Sequence, residues 1–151
     1  MDVATLCQRT VVSARDGDDL VSAAKLMRER HIGYVIVVEP GRSEGSLKPI
    51  GVLTDRDIVV AVVARATDPQ LLRVGEVMTR SPVVISESAS VDDALVAMRR
   101  IGVRRLPVVG NEGQLVGVIA LDDIIDALSA ELQNVAGTIR NEQRIEGVLR
   151  S

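Results

Sequence analysis

The chain contains one pattern twice, and that repeat limits its folds more than any other feature. Slid along itself by 71 positions, which carries Met27 onto Met98, the sequence aligns without a gap from Val3 to Val38. Val3 then meets Val74, Arg9 meets Arg80, Val12 meets Val83 and Val37-Val38 meets Val108-Val109. The alignment resumes at a shift of 66, with Gly51-Val52 on Gly117-Val118 and Asp57-Ile58 on Asp123-Ile124. The five-residue difference is an insertion in the first copy, within Glu39–Pro49, whose Pro40, Gly41 and Gly45 predict an exposed loop. Self-similarity at a fixed period marks copies of one supersecondary unit that share a core.

Each copy has the same grammar. A short β-type run opens it, at Thr10–Ser13 and Val83–Ile85. A helix follows, with apolar residues at Leu20, Ala23, Ala24 and Met27 and again at Val91, Ala94, Leu95 and Met98. Both sets fall at the i, i+3, i+4, i+7 spacing of one helical face. Ser90 and Asp93 fit a capping box at the start of the second of these helices. Two further β-runs come next, Tyr34–Val38 with Ile50–Thr54 and Leu106–Val109 with Leu115–Ala120, and closing helices begin near Asp55 and Asp122. The fold class is therefore α/β in the α+β sense: two tandem β-α-β-β-α units. A unit of roughly 60 residues buries only about 60% of its surface alone, so the two copies are expected to share a core. Linear boundaries put the first motif at 1–70, the second at 71–132, and a helical extension or tail, fraying beyond Asn141, at 133–151.

Composition closes off several functions. The formal charge is -3, which disfavours binding a nucleic-acid backbone, and the chain has no Phe and no Trp for stacking on bases. The single Cys7 cannot form an internal disulfide. The N-terminus carries no signal-peptide pattern, and the longest apolar run, Ile58–Ala64, is far short of the roughly 20 residues a membrane helix needs. A cytoplasmic protein with no membrane association is expected. No nucleophile stands beside a base, no His/Cys set has metal spacing and no phosphate-gripping loop occurs, so neither an enzyme nor a metal site is expected.

The repeated residues resemble the CBS-domain pair, named after cystathionine β-synthase. The resemblance is carried by Val74-x-x-Val77-Met78-Thr79, Ala94-x-x-x-Met98, Leu106-Pro107-Val108-Val109 and Gly117-Val118-Ile119 running into Asp123. The first copy repeats it with Gly51-Val52-Leu53-Thr54 and Asp57, and the resemblance extends to about residue 132. It implies a stand-alone Bateman module, two motifs packed through their sheets about a pseudo-two-fold axis. It further implies dimerisation and an adenosine-type ligand in the clefts between motifs: AMP, ADP or ATP, with NAD or S-adenosylmethionine in the same class.

The family's ribose-binding signature, Gly-x-x-Ser/Thr-x-x-Asp, is complete once, as Gly51, Thr54 and Asp57. Thr54 ends a strand and Asp57 sits in the next helical turn, so both side chains can face one point, where a carboxylate accepts from two ribose hydroxyls. A plainer explanation competes: Thr54 is the helix N-cap and Asp57 completes its capping box. In the second copy Ala120 replaces the hydroxyl while Asp123 remains, so that site is expected to be the weaker. Val12, Ser13, Val84 and Ile85 lie where the family's opening strand lines the base pocket.

The expected primary site is Thr54, Asp57, Val12, Ser13, Ile32, Gly33, Tyr34 and Arg56; the expected weaker site is Asp123, Ala120, Val84, Ile85, Val103, Arg104 and Arg105. Arg104 and Arg105 suit phosphate oxygens, but adjacent strand residues point to opposite faces, so one at most reaches a given site. His31 reads as a solvated loop residue, and Cys7, at the position of Met78, as a small apolar filler.

Ile58–Ala64 is apolar on every side of a helix and must be buried, by its own domain or by a second subunit. The family often uses this helix for dimerisation, so a homodimer is expected. Leu128, Leu132, Val135 and Ile139 continue at helix-seam spacing. The reading is thus a non-catalytic sensor of an adenosine-type nucleotide, acting on an unidentified target protein. Its competitor is a structural interaction and dimerisation module whose clefts are vestigial.

Overall fold

The computed structural model describes residues 1–151. Two small sheets form, as the repeat requires. The first holds four strands in the order β1 (Ser13–Ala14), β2 (Tyr34–Pro40), β3 (Leu47–Thr54) and β4 (Thr79–Arg80); the second holds β5 (Ile85–Ser86), β6 (Arg105–Val109) and β7 (Leu115–Ala120). In each, a short parallel strand leads into an antiparallel hairpin: β1 runs beside β2 and β5 beside β6. The helices are α1 (Val3–Leu6), α2 (Leu20–Arg30), α3 (Asp55–Ile58), α4 (Val74–Val77), α5 (Val91–Ile101) and α6 (Leu121–Arg150). The faces predicted for the two repeat helices are the ones buried: Leu20, Ala23 and Met27 on α2, Val91, Ala94 and Met98 on α5. The Ser90–Asp93 capping box forms, with Asp93 N–H donating to Ser90 Oγ at 3.0 Å and Ser90 N–H to Asp93 Oδ2 at 3.1 Å.

The cores do not follow the linear order of the copies. Val74 and Met78, which open the second copy, are buried with Leu20, Ala23, Met27, Val35 and Leu53 of the first. Val3 and Cys7, which open the first copy, are buried with Ala94, Met98, Leu106, Val108 and Ile119 of the second. Strand pairing repeats the exchange. Thr79 pairs with Val52 on β3, while Gln8 pairs with Val118 on β7, its N–H donating at 2.8 Å and its carbonyl accepting at 3.0 Å. Each motif's core is thus completed by the segment that opens the other, and a cut at 70/71 divides both cores.

The exchange accounts for the first glycine of each signature. A Cβ on Gly117 would sit 2.7 Å from the Gln8 carbonyl and 3.1 Å from Cys7 Sγ; one on Gly51 would sit 2.6 Å from Met78 Sδ and 3.0 Å from the Thr79 carbonyl. Only a residue without a side chain lets the exchanged segment lie on the sheet.

Four local expectations are corrected. The opening strands begin later than Thr10 and Val83, because only two residues of each reach register with the next strand. Thr10 and Val11 precede the ladder, Val12 joins it through its carbonyl, which accepts from Ile36 N–H at 3.4 Å, and all three line the space between the motifs. The insertion is not all loop: β2 and β3 extend into it, pairing Glu39 with Lys48 and Pro40 with Leu47. The helix after Thr54 is α-helical only to Ile58 and continues as a π-helical segment over Val59–Ala64. Finally, α6 runs unbroken to Arg150, through Gly137 and past Asn141.

Candidate functional site

The two motifs enclose a cavity of about 300 Å³. The first motif contributes Thr10–Val12, the His31–Tyr34 turn and Ile36; the second contributes Arg105, Val118, Ala120, Asp122 and Asp123, with Gln8 of the exchanged segment. One wall is aliphatic and backbone-rich, the other carries carboxylates and a guanidinium. Tyr34 and Arg105 are equivalent under the 71-residue shift, yet both line this cavity, which sets it against the pseudo-two-fold axis.

Its polar groups are unevenly satisfied. Asp123 accepts from Gln8 Nε2 alone, at 3.3 Å on Oδ1 and 3.2 Å on Oδ2. Asp122 is paired with Arg104 at 3.0 Å, both side chains largely exposed. Arg105 forms no salt bridge. The Tyr34 hydroxyl is buried with no hydrogen-bond partner in the protein, the condition that costs a buried polar group most. Burial pushes its phenol well above the usual range, opposed only in part by the charge of Arg105. Arg105, which lines the cavity without an ion-pair partner, can meet an anionic or accepting group there.

His31 is the C-cap of α2 and adopts the left-handed conformation, φ 53°, ψ 44°. Its counterpart closing α5 is Gly102, φ 70°. A non-glycine residue pays for this conformation, and such positions gather at functional sites. His31 is exposed to solvent, as read from the sequence, and borders the cavity.

The complete signature behaves differently. Thr54 Oγ1 accepts from Asp57 N–H at 3.1 Å, and Asp57 Oδ2 accepts from Thr54 N–H at 2.9 Å, a closed capping box at the start of α3. At the start of α6, Ala120 offers no hydroxyl and no side-chain cap forms. Asp123 thus lies outside a cap, whereas one oxygen of Asp57 is held in one.

The expected sites are accordingly regrouped. Val12, Ile32, Gly33 and Tyr34 share the cavity with Ala120, Asp123 and Arg105, across the motif boundary. Thr54 is not among its lining residues; Asp57 and Arg56 border a shallow depression with Val60, Arg65 and Glu76 instead. Ser13 faces a groove along α2, and Val84 another beside Pro49 and Ser81. Ile85, Val103 and Arg104 are outside the cavity. Gln8, Thr10, Val11, Ile36, Val118 and Asp122 line it and were not singled out in sequence. Their one signal was the alignment of Cys7-Gln8 with the family's Met78-Thr79, which would have drawn the N-terminal segment onto the second sheet. No three His, Cys, Asp or Glu side chains converge in a metal-binding group. No helix is long and apolar enough to cross a membrane.

Comparison with known proteins agrees with this architecture. The family model described as "CBS domain" matches residues 3–64 and 74–130. The CBS domain-containing protein YhcV of Bacillus subtilis is 35% identical over 136 residues, covering 89% of this chain and 91% of that protein. An uncharacterised protein of Methanopyrus kandleri, MK0525, is 30% identical over 125 residues; the match covers 83% of this chain but only 61% of that relative's length. Among solved structures, Hypoxic Response Protein I with two coordinated zinc ions superimposes with a TM-score of 0.70 at 28% identity, over 84% of this chain and 98% of that one. The CBS domain pair of MJ0100, in complex with 5′-methylthioadenosine and S-adenosyl-L-methionine, gives 0.73 at 22% identity, over 87% and 98%. With two matched motifs, exchanged opening segments and a cleft between the sheets, this chain belongs to the CBS-domain family as a tandem pair.

Proposed function

We propose that the protein is a non-catalytic sensor of an adenosine-type nucleotide, held in the cavity between the motifs. The observation that carries this reading is the Asp123 carboxylate, which lies outside any helix cap on a wall opposite the base-sized aliphatic face of Thr10–Val12 and Ile32. A ribose diol donates to Asp123, backbone groups of Thr10–Val12 meet the base edge, and Arg105 receives a phosphate. The MJ0100 pair's ligands share the adenosine part of this chemistry and carry no phosphate. A volume of about 300 Å³ lies at the lower end for small-molecule pockets and suits a compact ligand, AMP or a nucleoside thioether before ATP or NAD.

The reading includes a homodimer. Val59, Val60 and Val63 stand exposed on the π-helical segment, Val63 by 73%, and Leu132, Val135 and Ile139 are exposed along α6. A second copy would cover these faces and act with the cleft on a target protein. Sedimentation equilibrium should give twice the 16.2 kDa chain mass.

The experiment for the cleft is a thermal-shift panel of AMP, ADP, ATP, NAD and S-adenosylmethionine, read with an external dye because the chain has no Trp. A ligand at 100 times its Kd stabilises by about 2.7 kcal/mol. A flat panel would favour a structural interaction module with vestigial clefts, a reading to which the closed Thr54–Asp57 cap lends weight.

A further inference from the structure

We propose that Gln8 is an internal stand-in for the ligand's diol: its side-chain amide holds the Asp123 carboxylate in the ligand-free protein and is displaced when a ribose enters. The inference rests on the reading that this cleft takes a ribose-bearing ligand, and it adds a residue that sets the affinity for one.

The geometry is that of a replaceable partner. Gln8 Nε2 reaches both carboxylate oxygens, at 3.3 and 3.2 Å, as two adjacent hydroxyls would. Both distances are at the long end for an N–H···O bond, so a pair of hydroxyls at ordinary hydrogen-bond length can replace the amide. Asp123 has no other hydrogen-bond donor in the protein. The Gln8 backbone is fixed on both sides by Val118, at 2.8 and 3.0 Å, and Gly117 gives it room. Only its side chain is free to leave. The first copy has no such device: Thr79 stands at the equivalent position and Asp57 is bound to its own cap. From Gln8 the chain runs directly through Arg9, which is paired with Glu87 at 3.1 Å, into Thr10–Val12 on the cavity's other wall. A ligand that evicts the Gln8 amide therefore touches both ends of one short segment, and the N-terminal segment registers its arrival.

Calorimetric titration of the wild type and Gln8→Ala with AMP, ATP and S-adenosylmethionine tests this, with 2′,3′-dideoxy-AMP as the ligand that lacks the diol. Gln8→Ala should bind the diol-bearing ligand about three- to ten-fold more tightly, because Asp123 no longer has to be vacated, and dideoxy-AMP equally well as the wild type. Gln8→Thr, the residue found at position 79, should show the same gain and controls for a folding defect in the alanine variant. Binding by the wild type with no gain, or with weaker binding, in both variants overturns the stand-in and leaves the adenosine reading intact. A gain that extends equally to dideoxy-AMP also overturns it. If none of the proteins binds any of the three nucleotides, both readings fall together.

Discussion

The two copies place an aspartate at the same position of their closing helices, Asp57 and Asp123, and give it different partners. At α3, Thr54 and Asp57 satisfy each other's backbone; at α6, Ala120 cannot, and Asp123 turns to a side chain from another part of the chain. In the box the Thr54 hydroxyl accepts from the Asp57 backbone N–H while one Asp57 carboxylate oxygen accepts from the Thr54 backbone N–H, so part of the motif's carboxylate is already engaged. The difference teaches that a motif's completeness and its availability are separate properties, because a carboxylate in a capping box already has its strongest neighbours.

The largest expected effect breaks the comparison at the carboxylates. Asp123→Ala should weaken nucleotide binding at least ten-fold, the loss of a charge-assisted pair of hydrogen bonds, while Asp57→Ala changes it less than two-fold. Isothermal titration of both variants decides this, and the reverse order would return the site to Thr54 and Asp57.

The two signature glycines sharpen it next. Gly117→Ala forces a methyl against the Gln8 carbonyl, a backbone atom that cannot swing aside, and should cost about 1–3 kcal/mol in urea unfolding. Gly51→Ala meets the flexible Met78 thioether first and should cost less.

Swapping the caps comes third. Ala120→Thr should stabilise the protein by about 1 kcal/mol and weaken nucleotide binding several-fold, as Asp123 is drawn into a new box. Thr54→Ala should cost about the same in stability and leave binding unchanged.

The smallest effect is in acid. Hydrogen bonding from Ser90, through its side chain and then its backbone, holds the Asp93 carboxyl below its ordinary 3.8, and the Thr5 side chain and then its backbone do the same for Asp2. A carboxyl lowered by folding stabilises the native state above its unfolded value, and that contribution is lost as pH falls through the lowered one. Stability should therefore decline below about pH 4, and Ser90→Ala should flatten part of that decline.

Much of the fold was legible in the chain. Apolar spacing identified the buried faces of α2 and α5, the hairpin strands were placed to within a few residues, and Ser90–Asp93 was read as the cap it is. The site was legible only in pieces. Val12, Gly33, Tyr34, Arg105 and Asp123 were named, but grouped by motif, since spacing along a chain reports what one helix or hairpin brings together. Gln8 and His31 border the cavity without a signal in the sequence that places them there. A glutamine after a short helix carries no chemical signature of its own, and the left-handed backbone of His31 leaves no trace in sequence beyond its alignment with Gly102.

By itself, the sequence determined the repeat, the α+β grammar of each copy, the aliphatic core and the family, because these depend on local periodicity and on which side chains avoid water. Only the tertiary structure decided that the opening segments trade places, and so which carboxylate faces which wall. That arrangement rests on long-range strand pairing at Gly51 and Gly117, where the segment that opens the other copy lies on the sheet and completes the core. The cleft belongs to neither copy; it exists because each completes the other.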